Sequence, residues 1–230
     1  MTIKAFSLIS LVAVLLAGCS SGGNNLGAKG GGASDSAGGI TFAFKPKIGE
    51  SATYAMKMSI AGGPQPMTLD GTVKVTNKDA GSGNVDIETT SDGLPGGSHT
   101  TVQTIDPAGK VLKFTMDGKP GDVGMEGGAS TRTMMPTHPV KVGDTWTGTQ
   151  SVGGKSVSDD FKLDKVETTG GVQLATVEIS KIDMKDSKLS EPAKVVIEPA
   201  TGTLHSMSMK VTATAASAAG QSITITMEKK

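Results

Sequence analysis

Thr53-Tyr54-Ala55-Met56-Lys57-Met58-Ser59-Ile60 alternates without a break. Tyr54, Met56, Met58 and Ile60 fall on one side of an extended chain. Thr53, Ala55, Lys57 and Ser59 fall on the other. A period of two is the signature of a strand with one face buried, because successive side chains leave a strand on opposite sides. The pattern returns at Met67, Leu69, Gly71, Val73 and Val75, at Val85, Ile87 and Thr89, and at Leu112, Phe114 and Met116. It continues at Ala175, Val177 and Ile179, then Met207, Met209, Val211 and Ala213, and last Ile223, Ile225 and Met227. Between these runs, residues 77–84 (NKDAGSGN), 92–97 (DGLPGG), 106–110 (DPAGK) and 168–171 (TTGG) have turn composition. The reading is a mainly β domain of ten or eleven antiparallel strands. Only residues 122–135 leave room for a short helix, and their glycines argue against much of one.

Composition agrees. Of 230 residues, 36% are hydrophobic and 19% charged, so a core is possible but lean. Gly occurs 32 times, which fits many turns. Met, at 12 copies, replaces the scarce aromatics as bulky apolar volume. Net charge is zero, which gives no attraction for nucleic acid.

A repeat runs through the domain. Lys47-Ile48-Gly49-Glu50-Ser51 returns as Lys141-Val142-Gly143-Asp144-Thr145, and an aromatic, Tyr54 or Trp146, follows each copy. Ile105-Asp106-Pro107-Ala108-Gly109-Lys110 returns as Ile197-Glu198-Pro199-Ala200-Thr201-Gly202. The offsets are 94 and 92 residues. Two related β-units follow, about 40–118 and 139–230, joined by a loop at 119–138. They would form an open half-barrel or curved sheet, or else a sandwich. Tyr54 and Trp146 would anchor the cores of the two units. The KVGDTW strand start (141–146) and the spacing of Ile197, Pro199, Gly202 and Leu204 resemble uncharacterised β-rich envelope lipoproteins of bacteria. Those are similar to the lipoprotein-carrier type of half-barrel. That resemblance implies an open antiparallel sheet with an apolar concave face.

Ahead of the domain, Lys4 and the apolar run at 8–16 (LISLVAVLL) read as a signal peptide. The run is too short to span a bilayer as a helix, which takes about 20 residues. Leu16-Ala17-Gly18-Cys19 resembles the lipobox of bacterial lipoproteins. Leu16, Ala17 and Gly18 would be read by the signal peptidase. Residues 1–18 would be removed, and Cys19 would carry the covalent lipid, palmitate among its acyl chains. Residues 19–39, rich in Gly and Ser, read as a flexible tether. Ser20 after the cysteine would direct the chain to the outer membrane of a two-membrane host, and otherwise to the outer face of the cell membrane.

The chemistry-bearing residues form no recognisable set. Gly153-Gly154-Lys155-Ser156 lacks the upstream glycine of a phosphate loop and leads into a strand pattern. Asp159-Asp160 would point to opposite faces of a strand. His99, His138 and His205 have no metal spacing, and all three read as solvated. The expectation is therefore no catalysis, no metal and no cofactor beyond lipid on Cys19. Partners would be the membrane, through the anchor, and an envelope protein or lipid. Met56, Met58, Met116, Met207 and Met209 mark a possible apolar ligand face, since Met adapts to irregular ligands. Met67 and Met227 share the expected inward orientation.

Overall fold

The computed structural model describes residues 39–43, 45–63, 65–93, 97–106, 111–120, 135–136, 138–152, 155–181, 187–214 and 220–230. The strands are β1 (Ser51–Ala61), β2 (Met67–Gly81), β3 (Asn84–Asp92), β4 (His99–Ile105), β5 (Val111–Met116), β6 (Lys119–Pro120) and β7 (Thr145–Val152). They continue as β8 (Lys155–Thr169), β9 (Val172–Lys181), β10 (Ser187–Leu189), β11 (Ala193–Glu198), β12 (Thr203–Ala213) and β13 (Ser222–Lys229). No helix occurs among the described residues.

Among the described residues, all thirteen strands belong to one antiparallel sheet, not a sandwich. Its order is β6-β5-β4-β3-β2-β1-β13-β12-β11-β9-β8-β7, with β10 paired to β12 beside β11. The two ends, β6 and β7, do not meet, so the sheet is open and curved. Two strands, β6 and β10, exceed the expected count. At two and three residues they are too short to show a period. The loop expected at 119–138 therefore begins with a strand. Asp117 and Gly118 both have positive φ, 50° and 74°, and turn β5 straight back into β6. Residues 77–81 are also strand rather than turn. There β2 pairs with β3 as far as Gly81↔Asn84, and the turn is only Ser82-Gly83, φ 56° and 78°.

The repeated stretches 47–50 and 141–144 make matching backbone hydrogen bonds. Gly49 N donates to Asn77 O at 2.8 Å, and Asn77 N to Glu50 O at 3.0 Å. Gly143 N donates to Leu163 O at 2.8 Å, and Leu163 N to Asp144 O at 3.0 Å. In sheet order, β1 to β6 run as neighbours one after another, and so do β7, β8, β9, β11, β12 and β13. Each unit is a meander. The last strand of the second, β13, lies against the first strand of the first, β1.

The core ignores the unit boundary. One apolar cluster takes its residues from β1, β2, β8, β9, β11, β12 and β13, and it holds Tyr54 with partly buried Trp146 packed against it. The two aromatics thus serve one core, not two. Trp146 stacks on Phe161, ring centroids 5.7 Å apart, and packs obliquely on Phe42 at 6.1 Å. A second, small cluster, Ile87, Ile105, Val111 and Phe114, lies on β3–β5. On those strands the inward face also buries Thr89, Ser91, Thr101 and Gln103. Tyr54 reaches past β13, and its hydroxyl donates to Leu204 O at 3.0 Å.

Candidate functional site

The Met residues fall into rows across the sheet. Met56 lies opposite Met227, which lies opposite Met207. Met58 lies opposite Ile225, which lies opposite Met209. Met56, Met58, Met207 and Met209 are each at most 5% exposed and belong to the large cluster. Phe42, Met135 and Val140, which stand outside the strands, pack into the same cluster. This face is filled by the protein's own side chains. Met116 is set apart from it on β5, partly buried against the small cluster. Met67 is 49% exposed, against the expected inward orientation, because it begins β2 where the core has ended. Leu16, Ala17, Gly18 and Cys19 lie outside the described residues.

Residues 40–45 cross from Val140 to the turn between β11 and β12. Ile40 and Val140 exchange two hydrogen bonds, at 2.7 and 2.9 Å. Ala43 N then donates to Pro199 O, and Lys45 N to Thr201 O. Gly39 has φ 81°, and a Cβ there would stand 2.8 Å from Val140 O, so glycine is required at this close approach.

Beside this crossing is a cavity of about 250 Å³. It opens between the 45–50 turn of the first unit and the 198–204 turn of the second. Tyr54, Val75 and Ile87 floor it. Tyr54 belongs to the large cluster, Ile87 to the small one, and Val75 packs on both, so the cavity lies where the two clusters adjoin. Lys45, Lys47, Glu50, Glu198 and Lys229 form its charged rim. Lys47 and Glu50 pair at 3.1 Å, largely exposed, which contributes little to stability. Nothing in the sequence pattern links these residues, since the register alone brings positions 45 and 229 together.

The histidines are placed differently from the expectation. His99 is largely buried rather than solvated: its Nδ1 lies 2.9 Å from Asp117 Oδ2, and its side chain is 11% exposed. His205, in β12, is partly buried. His138 is exposed, as expected. Asp159 is fully buried, whereas Asp160 accepts a hydrogen bond from the exposed Thr147 hydroxyl, so the adjacent acids do face opposite ways. Among the described residues, no cluster of three or more potential metal ligands occurs.

Two of these groups make stability depend on pH. The hydrogen bond from His99 and that from the Thr100 N–H hold the Asp117 carboxyl below the usual carboxylate range. Burial pushes the His205 imidazole below its ordinary value, Lys229 adds to this, and Glu198 opposes it. In both cases the unfolded chain binds a proton more readily than the folded one. The stabilisation is therefore complete above the unfolded pKa and is lost as pH falls through the folded pKa. Urea midpoints should decline in two acid windows, the first setting in near the ordinary histidine value of 6.5. His205→Gln should remove the first window. Asp117→Asn, which tolerates positive φ, should weaken the second. Unchanged pH profiles in both variants would show these groups to be uninvolved.

Compared with known proteins, the chain matches no family model and no curated protein. Among solved structures it is similar to the ywiB protein of Bacillus subtilis, with 10% identity and a TM-score of 0.22, covering 78% of this chain and 92% of that one. A DUF1329 family protein from Desulfovibrio piger gives 10% identity and 0.23, covering 78% and 84%. An outer membrane lipoprotein-sorting protein domain from Vibrio parahaemolyticus gives 11% and 0.25, covering 81% and 87%. Likenesses of this size assign neither fold nor function.

Proposed function

We propose that this chain is a lipid-anchored protein of the bacterial envelope whose β-domain is a non-catalytic binding or structural module. Cys19 carries the lipid, and no other cofactor is required. The observation that carries the binding role is the cavity, with its apolar floor and charged rim at the junction of the two units. Its volume of about 250 Å³ lies just under the range of about 300–1,000 Å³ typical of ligand sites. That size suits a side chain of a protein partner or a small head group rather than a whole lipid. With Lys47 and Glu50 paired, Lys45, Lys229 and Glu198 leave the rim one positive charge in excess, which favours an acidic partner group. A photo-crosslinker at Lys47 or Thr201 in intact cells should capture a reproducible envelope neighbour. One at Val172, the exposed first residue of β9, should not. No neighbour at the rim, or the same set at both places, would sink this reading.

A second reading, lipid or lipoprotein handling on the Met face, has one observation in its favour. Phe42, Met135 and Val140, which pack on that face, belong to connecting segments rather than to a second sheet. Lipid could enter only if those segments withdrew. Native mass spectrometry of the full chain without co-purified lipid would count against it.

A further inference from the structure

Five large apolar side chains stand exposed among the described residues, and four of them gather at one end of the sheet. Ile48 (52% exposed) precedes β1, and Leu112 (48%) lies near the start of β5. Val142 (58%) precedes β7, and Val172 (36%) opens β9. In the sheet order, β5, β1, β9 and β7 stand an even number of places apart. Alternate strands of an antiparallel sheet run the same way, so the four starts share one end. Met67, the fifth, opens β2 and lies at the opposite end.

Ile48 and Val142 occupy the same place in the two repeated stretches. Each is the second residue of a tight turn. Glu50 N donates to Lys47 O at 3.1 Å in one, and Asp144 N to Lys141 O at 2.9 Å in the other. A lysine, Lys47 or Lys141, stands just before each aliphatic tip. Lysine can lay its stem along an apolar surface while its ammonium stays in water. Apolar side chains with lysines beside them suit the boundary between lipid headgroups and acyl chains.

The chain leading from Cys19 joins the domain at this same end. Ile40 pairs with Val140, next to the Lys141 turn. Ala43 and Lys45 donate to Pro199 and Thr201, in the turn before β12, whose start lies at this end too. A lipid on Cys19 therefore draws this end, and not the Met67 end, towards a bilayer.

We infer that this end of the sheet docks on the lipid bilayer, with Ile48 and Val142 dipping into the boundary between headgroups and acyl chains. The inference rests on the anchor proposed above and not on the cavity. A few half-exposed aliphatic side chains are too small an area to hold a free protein on a bilayer. Once the anchor keeps the domain within reach, the effective concentration of lipid is high, and the same contacts suffice to orient it. The formal net charge is zero, so the docking does not depend on anionic lipid. Val172 meeting lipid is compatible with its capturing no protein neighbour.

Residues 19–230 include every described residue and contain a single thiol, Cys19. In the test, that chain is coupled through Cys19 to a maleimide-bearing lipid in phosphatidylcholine vesicles. The anchor is then supplied whether or not cells acylate the chain. Ile48→Trp, Val142→Trp and, at the opposite end, Met67→Trp report depth through quenching by phosphatidylcholine brominated on its acyl chains. Quenching is expected to be at least about twofold stronger at 48 and at 142 than at 67, over the contribution of Trp146 common to all three. Because tryptophan itself favours the interface and can disturb a turn, circular dichroism checks each fold. Amide exchange of the unsubstituted chain gives a second readout. Residues 47–50 and 141–144 should slow on vesicles, relative to the same chain blocked at Cys19 with N-ethylmaleimide, and residues 67–69 should not. Quenching at 48 or 142 no stronger than at 67 overturns the inference, and so do tips that exchange no more slowly on vesicles. Slowing at the tips of the blocked chain that grows with concentration overturns it as well, since the occupant would then be a second copy. Failure of acylation in cells would fall on the anchor alone, and the quenching would still decide for or against the docking.

Discussion

Replacing Cys19 with serine, in a chain whose residues 1–18 are exchanged for a signal peptide cleaved without lipidation, is expected to move the protein from the membrane to the soluble fraction. The effect should be close to complete, because the proposed anchor is all that holds the domain. Each buried methylene of an acyl chain contributes about 0.8 kcal/mol, so two or three chains bind firmly where one binds only marginally. Little else on the chain would compensate. The formal net charge is zero, and no helix among the described residues is long and apolar enough to cross a membrane. Fractionation of cells and metabolic labelling with a palmitate analogue would measure retention and acylation together. A Cys19→Ser protein still in the membrane pellet after an alkaline wash would refute the anchor.

Phe161→Ala is expected to cost about 3–5 kcal/mol, the range found for removing a buried aromatic. Phe161 is 1% exposed, pairs with Ile179 across β8 and β9, and stacks on Trp146. Truncation would open a cavity beneath the indole, and Phe42 on its other side would lose support. Whole domains are stable by only about 5–15 kcal/mol, so the variant should lose a large part of the urea midpoint or fail to fold. Leu112→Ala, at a site 48% exposed, should stay within about 0.5 kcal/mol of the unsubstituted protein. Equal midpoints for the two variants would show that the large cluster is not what holds the sheet.

What the sequence disclosed was what local pattern can carry. Alternation at Tyr54–Ile60 and its repeats marked the long strands, because a half-buried strand must separate its two faces residue by residue. Where pairing rather than burial makes a strand, the pattern fell silent. The polar end of β2 at 77–81 is held by β3, and β6 by two hydrogen-bonded residues. Asp117-Gly118 was a readable signal, a hairpin dipeptide between strands, and it points to both β6 and the partner of His99. The repeat in sequence foretold equivalent turns, but not that a single core would run across both units. That outcome depends on β13 lying against β1, and no nearby residue announces it. The cavity was illegible for the same reason, since Lys45 and Lys229 meet only through the finished register. Of the Met set, four residues share the core and Met116 does not.

The place of β13 also sets an order of events for the nascent chain. Made after every other strand of this sheet, β13 lies in its middle, and Tyr54 meets Lys229 at a separation of 175 residues. Contacts of such separation form late, because the loop between them must be closed first. Until β13 arrives, β1 and β12 each keep an open flank, and the two meanders have nothing to join them. A product cut short by even one strand would present both flanks as adhesive edges and be recognisable to proteases as unfinished. A chain threaded across a membrane from its N-terminus, as proposed, thus carries its own brake on premature folding in the eight residues of β13.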